Sequence, residues 1–72
     1  MSRLPDLSGQ RCVAALEKAG FYVVRRGKHI TMRRDDPPAR VTIPHHKTLK
    51  KSTVRSIIRQ AGLTVDEFMA LL

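Results

Sequence analysis

The segment RRGKHITMRR, residues 25–34, places one histidine among four arginines and one lysine, without an acidic neighbour. Histidine is the side chain best suited to exchange a proton near neutral pH. Arginine and lysine side chains can stabilise negative charge that develops on a phosphate group during a reaction. The same segment is also typical of a basic surface on which His29 is one more solvated polar residue. Two interpretations of His29 therefore remain open at this point.

The charge distribution points to an anionic partner. The chain has 72 residues and a formal net charge of +8 at pH 7, which suits one small domain with a large excess of cations. Of its 14 Lys and Arg residues, all but Arg3, Arg11 and Lys18 lie between Arg25 and Arg59. This clustering favours a binding track over a uniformly solvated surface. The candidate partners are nucleic acid, an anionic membrane surface and an acidic protein.

Several classes of protein are disfavoured by what the sequence lacks. No apolar run approaches the ~20 residues that span a bilayer, and MSRLPDLSGQ lacks the apolar segment of a secretory signal. The single cysteine, Cys12, favours a reducing compartment, and we expect a cytoplasmic protein without membrane contact. His45 and His46 have no Cys or carboxylate at a supporting distance, so we expect no metal and no other cofactor.

Apolar spacing predicts two amphipathic helices. The first has Ser8 as its N-cap and ends at Gly20. Its apolar stripe consists of Cys12, Val13, Leu16 and Ala19. The second has Ser52 as its N-cap and ends at Gly62. Its apolar residues are Val54, Ile57, Ile58 and Ala61.

Three short strands are predicted between these helices, at residues 21–26, 29–34 and 40–43, because these stretches are rich in β-branched and aromatic residues. Residues 27–28 form the turn of a hairpin, and residues 35–38 (DDPP) form a loop. A third short helix begins with a capping box, since Glu67 falls three residues after Thr64, and it buries Phe68. The order favours a two-layer α+β domain over residues 1–72, with a three-stranded antiparallel sheet and helices on one face.

Strand alternation assigns the residues of the second strand to two faces. Ile30 and Met32 are expected to pack against the helices, while His29, Thr31 and Arg33 point outward. The same rule places Val41 and Ile43 inward and Arg40 and Thr42 outward. His29 is therefore predicted to be exposed in a basic field.

Four short motifs, in this order and spacing, resemble one known family. They are Leu16 with Gly20-Phe21, then Gly27-Lys28-His29, then Ile43-Pro44-His45-His46, and finally Ile58 with Gly62. Together they resemble the HicA family of bacterial type II toxins, which are messenger-RNA interferases with a double-stranded-RNA-binding-domain-like fold. The resemblance covers roughly residues 7–71. The sequence departs from the family pattern in having Lys28 instead of serine and Ser52 instead of glycine.

The resemblance implies a metal-independent endoribonuclease that cleaves messenger RNA with His29 as general acid or base. It also implies a cognate acidic antitoxin of the HicB type, which forms a hetero-oligomer with the toxin and covers its basic face. Residues expected to contact RNA surround His29 and extend to the second helix, whose N-terminus is a further phosphate site. They are Arg25, Arg26, Lys28, Arg33, His46, Lys47, Lys50, Lys51 and Arg55.

Other interpretations are open at this stage. The chain could be a non-catalytic RNA-binding module in which His29 only bonds a phosphate or ribose. A DNA-binding helix-turn-helix at residues 54–72 is the weakest, because its second helix carries Asp66 and Glu67 and no cation. His46 matches the Pro-x-His motif, but it also fits a loop histidine bonded to backbone. Tyr22 fits the core and the surface equally well.

Overall fold

The computed structural model describes residues 4–72. This part of the chain folds as α1 (Gly9–Lys18), β1 (Tyr22–Arg26), β2 (His29–Asp35), β3 (Pro38–Pro44), α2 (Lys51–Gln60) and α3 (Val65–Met69). The strands form an antiparallel sheet in the order β1-β2-β3. The predicted α+β fold class is confirmed. The sequence prediction of a single domain over residues 1–72 extends into residues 1–3, outside the described part.

One face of the sheet packs against the helices and forms the core. Ile30 and Met32 of β2 are at most 1% exposed, and Val41 and Ile43 of β3 are fully buried. The helices cover them with buried apolar side chains, among them Leu16, Val54, Ile57 and Phe68. The predicted strand alternation is thus confirmed, and His29, Thr31 and Arg33 lie on the opposite face.

Local sequence signals set most helix ends as predicted. The Ser8 hydroxyl accepts a hydrogen bond of 3.1 Å from the Arg11 N–H at the start of α1. At the start of α3, Thr64 and Glu67 form both hydrogen bonds of the capping box. The glycines that follow α1 and α2 have positive φ angles, the conformation that ends a helix. They are Gly20 at 94° and Gly62 at 74°.

The predicted N-cap of α2 is wrong. The N-cap is Lys50, whose side chain makes no capping hydrogen bond, and Ser52 lies inside the helix. The physical reason is a tertiary contact just before the helix. The Leu49 N–H donates to the Leu7 carbonyl over 2.7 Å, and the Leu49 side chain is 3% exposed. This anchored residue directs the chain into the helix earlier than the capping preference of serine predicts.

The predicted four-residue loop at residues 35–38 is also wrong. Only Asp36 and Pro37 form the turn, and Pro38 is the first residue of β3, opposite Asp35. The third strand therefore runs from Pro38 to Pro44 instead of residues 40–43. Proline is tolerated here because β3 is an edge strand and the two prolines occupy its ends.

Arg34 connects three parts of the fold. Its Nε donates to the Pro37 carbonyl over 3.0 Å, and its Nη2 donates to the Ala61 carbonyl over 3.2 Å. The guanidinium group also lies 4.7 Å from the centroid of the Phe21 ring. Because Ala61 caps the C-terminal, negative end of the α2 dipole, a cation is favourable at this position. Arg34 therefore ties the β2–β3 turn to α2 and to the start of β1.

Gly9 allows α1 to pack against the chain that leaves β3. Its N–H donates to the His46 carbonyl over 2.9 Å. A Cβ atom at this position would lie 2.4 Å from the Pro44 carbonyl oxygen, far inside van der Waals contact. A residue without a side chain is thus required at the first position of α1, for packing and not for backbone conformation.

We expect Arg34→Ala to lower the free energy of unfolding by about 1–3 kcal/mol, because two carbonyl groups lose a charged donor and the Phe21 ring loses its cation. The matched variant Arg33→Ala removes the exposed arginine next to it and should change stability by less than about 0.5 kcal/mol. Urea unfolding followed by circular dichroism measures both values. Equal losses in the two variants would contradict the structural role assigned to Arg34.

We expect Gly9→Ala to lower the free energy of unfolding by about 1–3 kcal/mol, since the new methyl group forces the Pro44 carbonyl to move. Gly27→Ala is the matched control, because a Cβ atom there meets nothing within 4 Å. Thermal unfolding of the two variants tests the difference. A midpoint for Gly9→Ala equal to that of the control would show that this contact adjusts without cost.

Candidate active site

His29 is the first residue of β2 and directly follows the Gly27-Lys28 turn. Its side chain is exposed, whereas the next residue, Ile30, is 1% exposed. Because successive side chains of a strand point to opposite faces, His29 belongs to the face that the helices of residues 4–72 leave uncovered. The predicted exposure of His29 is confirmed.

A shallow depression of about 340 Å³ surrounds His29. It is lined by Arg25, Gly27, Lys28, His29 and Thr31. The Gly27 N–H donates to the His29 carbonyl over 3.2 Å and closes the turn at the rim of the depression. Two of the cations that the sequence predicted to contact RNA, Arg25 and Lys28, therefore lie beside the histidine.

A β-bulge places Arg25 in this depression. Val23 pairs with Met32 and Arg25 pairs with Thr31, so Val24 is an extra residue without a partner in the ladder. Residues directly opposite each other in a sheet share a face, which puts Arg25 on the face of Thr31. Strict alternation from Val23 would have turned Arg25 inward. The bulge thus re-aims a cation toward the histidine, a common use of bulges near functional sites.

The other strand cations divide between the two faces. Arg26 pairs with the buried Ile30, so it lies on the helix side of the sheet and outside the His29 depression, although it is exposed. Arg33 lies on the outward face, directly opposite Arg40. Arg40 was predicted to point outward but was not assigned to the site. The strand pattern alone could have suggested it, since Arg40 and Arg33 are both outward on neighbouring strands.

The segment that follows β3 lies at the same end of the sheet as His29. Pro44, the last residue of β3, pairs directly with His29, and the exposed His45 and His46 follow it. The hydrogen bond from Gly9 to the His46 carbonyl holds this segment against α1. A second depression, of about 380 Å³, is lined by Ser8, Gln10, His45, His46 and Lys47. His46 and Lys47, which the sequence predicted to contact RNA, thus line this second depression and lie outside the His29 depression.

The predicted contacts on α2 belong to the helix layer. Lys50 and Lys51 are exposed at the start of α2, and Arg55 borders a separate depression one turn further on. The Lys51 Nζ forms an ion pair of 2.9 Å with Asp6. The hydrogen bond from Lys51, together with its charge, lowers the pKa of the Asp6 carboxyl group. The structure does not bring these three cations to the depression that contains His29.

Tyr22 lies on the outward face of β1, opposite Arg33, and is 41% exposed. Its hydroxyl donates to Asp35 Oδ1 over 2.7 Å, and this hydrogen bond raises the pKa of Tyr22. Of the two interpretations that the sequence left open, the structure supports a surface residue. The bond to Asp35 holds the ring against the sheet.

The side chains of the His29 depression can exchange a proton and attract an anion. Its side chains are one imidazole, one guanidinium, one ammonium and one hydroxyl group, from His29, Arg25, Lys28 and Thr31. Within residues 4–72, no group of three or more His, Cys, Asp or Glu side chains is placed to hold a metal ion. In the same part of the chain, no helix is long and apolar enough to cross a membrane.

The α-β-β-β-α order and the one-sided sheet define a small basic α+β domain, consistent with a double-stranded-RNA-binding-domain-like fold. The family model described as the HicA toxin of bacterial toxin–antitoxin systems matches residues 9–63. The chain therefore belongs to the HicA toxin family, and the family implies an antitoxin partner. No curated protein gives a significant match. The matched residues include His29, the hairpin turn before it and the His45-His46 segment.

Cys12 is a core residue with an unreactive thiol. It is fully buried in α1, and burial raises its pKa to about 11. We expect no labelling of native protein by iodoacetamide at pH 8, because the reactive thiolate is absent and the sulfur is inaccessible. Complete labelling in urea is the positive control. Rapid labelling of the native protein, detected by mass spectrometry, would contradict this assignment.

Proposed function

We propose that this toxin is a metal-independent endoribonuclease that cleaves messenger RNA, with His29 transferring the proton. The observation that supports the proposal most directly is the His29 depression. An exposed imidazole lies there beside Arg25 and Lys28 on an uncovered face. A histidine packed under the helices would not support it.

RNA carries its own nucleophile, so a small open site is sufficient for the reaction. In the proposed reaction, His29 takes the proton of the ribose 2′-hydroxyl as this oxygen attacks the adjacent phosphorus. The new bond joins the 2′ oxygen to phosphorus, and the bond from phosphorus to the 5′ oxygen breaks. The products are a 2′,3′-cyclic phosphate and a 5′-hydroxyl end. The leaving 5′ oxygen takes a proton to become the 5′-hydroxyl, and His45 and His46, at the same end of the sheet, are candidate donors of it.

The cations beside His29 have a separate role in this proposal. Arg25 and Lys28 stabilise the extra negative charge that the phosphate acquires in the transition state. Lys28 stands where a serine is common in the family, so this chain has a cation in place of a hydroxyl group at the turn. Thr31, in the next outward position of β2, supplies a hydroxyl group within the same depression.

A cognate acidic antitoxin of the HicB type is the proposed regulator. It would cover the uncovered basic face, including His29, and form a hetero-oligomer with the toxin. The net charge of +8 supports an acidic partner, because opposite charges on two surfaces accelerate and orient their association. We place the complex in the cytoplasm, where messenger RNA is accessible.

We expect His29→Ala to reduce RNA cleavage in the presence of EDTA by between about 10²- and 10⁴-fold, the usual contribution of a positioned general acid or base. Because His29 is exposed, the variant should keep the unfolding midpoint of the original protein. Cleavage is measured with a labelled RNA on a gel, and the ends of the fragments are analysed for the cyclic phosphate.

Lys18→Ala is the control for this experiment, because Lys18 is an exposed cation at the end of α1, on the helix layer. It should cleave RNA at the original rate. Unchanged cleavage by His29→Ala would exclude the proposed role of the imidazole. RNA binding by the original protein without any cleavage would favour the non-catalytic RNA-binding module instead.

A further inference from the structure

Arg33 and Arg40 form a pair of like charges on the uncovered face of the sheet. They are directly opposite each other on β2 and β3, and both are exposed. Like charges in directly opposed positions destabilise a sheet. Within residues 4–72, the ion pair of Lys51 with Asp6 involves neither guanidinium group of the pair. The nearest outward acid on β2, Asp35, accepts the Tyr22 hydroxyl. The pair therefore presents two guanidinium groups to solvent that no ion pair of the described residues holds.

The arginine pair is aligned with His29 on the same strand face. The outward positions of β2 are His29, Thr31, Arg33 and Asp35, and their partners on β3 are Pro44, Thr42, Arg40 and Pro38. Arg33 is four positions along the extended strand from His29, which is about 13 Å at ~3.3 Å per residue. A flexible anionic chain that occupies the His29 depression can follow β2 to reach the arginine pair, because the threonines between them are small and polar.

Tyr22 completes this surface. It lies opposite Arg33 on β1, and the hydroxyl bond to Asp35 orients its ring. An exposed aromatic ring beside a row of cations is the combination that binds single-stranded nucleic acid, since the ring stacks on a base while the cations contact phosphates. Among residues 4–72, the large exposed apolar side chains are those of Tyr22 and Val24 on β1, too few to form the dry centre of a protein interface around the arginine pair.

We infer that Arg33, Arg40 and Tyr22 form a second RNA-binding subsite, in which a single strand that enters the His29 depression continues along β2. The inference rests on the proposed function for the identity of the anionic chain. Arg33 and Arg40 each contact a phosphate of the strand, and Tyr22 stacks on a base next to them. The subsite increases affinity for RNA and takes no part in proton transfer. RNA thus runs across the sheet, and the cations of α2 are outside its path.

The test measures binding of a fluorescent ten-nucleotide single-stranded RNA in a His29→Ala background, so that no substrate is cut. Adding Arg33→Ala and Arg40→Ala should weaken binding on the order of tenfold at 0.1 M salt. It should also reduce the slope of log K against log salt by about 1.4, because each phosphate contact in a single strand contributes about 0.7. Fluorescence anisotropy at four salt concentrations gives both quantities.

Arg11→Ala with Lys18→Ala is the matched control, because it also removes two exposed cations but from α1 on the helix layer. Its affinity for RNA should stay within twofold of that of the His29→Ala protein. Its slope of log K against log salt should differ from that of the same protein by less than 0.5. An equal loss of RNA affinity in the control would show that the effect depends on overall charge alone, and it would overturn the inference. The Arg33 and Arg40 variant is also tested for binding of poly-L-glutamate. If it binds RNA unchanged but binds poly-L-glutamate more weakly, the face binds an acidic protein and the inference is overturned as well.

Cleavage assays separate this inference from the proposed function. With His29 intact, the Arg33 and Arg40 substitutions should lower kcat/KM on the order of tenfold and leave kcat unchanged at saturating RNA. If the protein cuts RNA and these substitutions leave kcat/KM unaffected, the proposed function stands and the inferred subsite is wrong. If the protein never cuts RNA but binds it through this pair, the proposed function is wrong and the inferred subsite stands.

Discussion

The burial of one sheet face, and of only one, is the constraint on which the rest of this structure depends. The helices cover one side of the three-stranded sheet and enclose Ile30, Met32, Val41 and Ile43. Alternation along the strand then leaves His29 in solvent, because its neighbour Ile30 must point inward. The exposed imidazole is thus a direct consequence of how the core is formed.

The uncovered face carries charge that the fold does not neutralise. Arg25, Arg33 and Arg40 share this face with His29, and none of them has a salt bridge within the described residues. Arg34, one position from Arg33, shows the contrast, since carbonyl groups and an aromatic ring engage its guanidinium group. Of these two neighbouring arginines, Arg34 therefore stabilises the fold, whereas Arg33 contributes charge to the uncovered face. This arrangement costs stability, because like charges in directly opposed positions destabilise a sheet.

Two details of packing assemble the proposed site from separate parts of the chain. The bulge at Val24 turns Arg25 toward His29, and the contact of Gly9 with Pro44 and His46 positions the segment that follows β3. Each detail depends on a local irregularity. The first is an extra residue in β1, and the second is the lack of a side chain at the start of α1. Each brings a chemically active group to the end of the sheet where the hairpin turn lies.

The sequence by itself determined the order of the elements, the inward and outward residues of β2 and β3, the caps at Ser8 and Thr64, and the exposure of His29. These features depend on short periodicities and on neighbours within four residues, which a single sequence displays. Only the tertiary structure decided the start of α2 and the face of Arg25. It also decided which predicted cations lie beside His29. The anchoring of Leu49 by Leu7, the bulge opposite Met32 and Thr31, and the pairing of β3 with β2 involve residues distant along the chain. No local pattern encodes such contacts, because they depend on how the elements pack together.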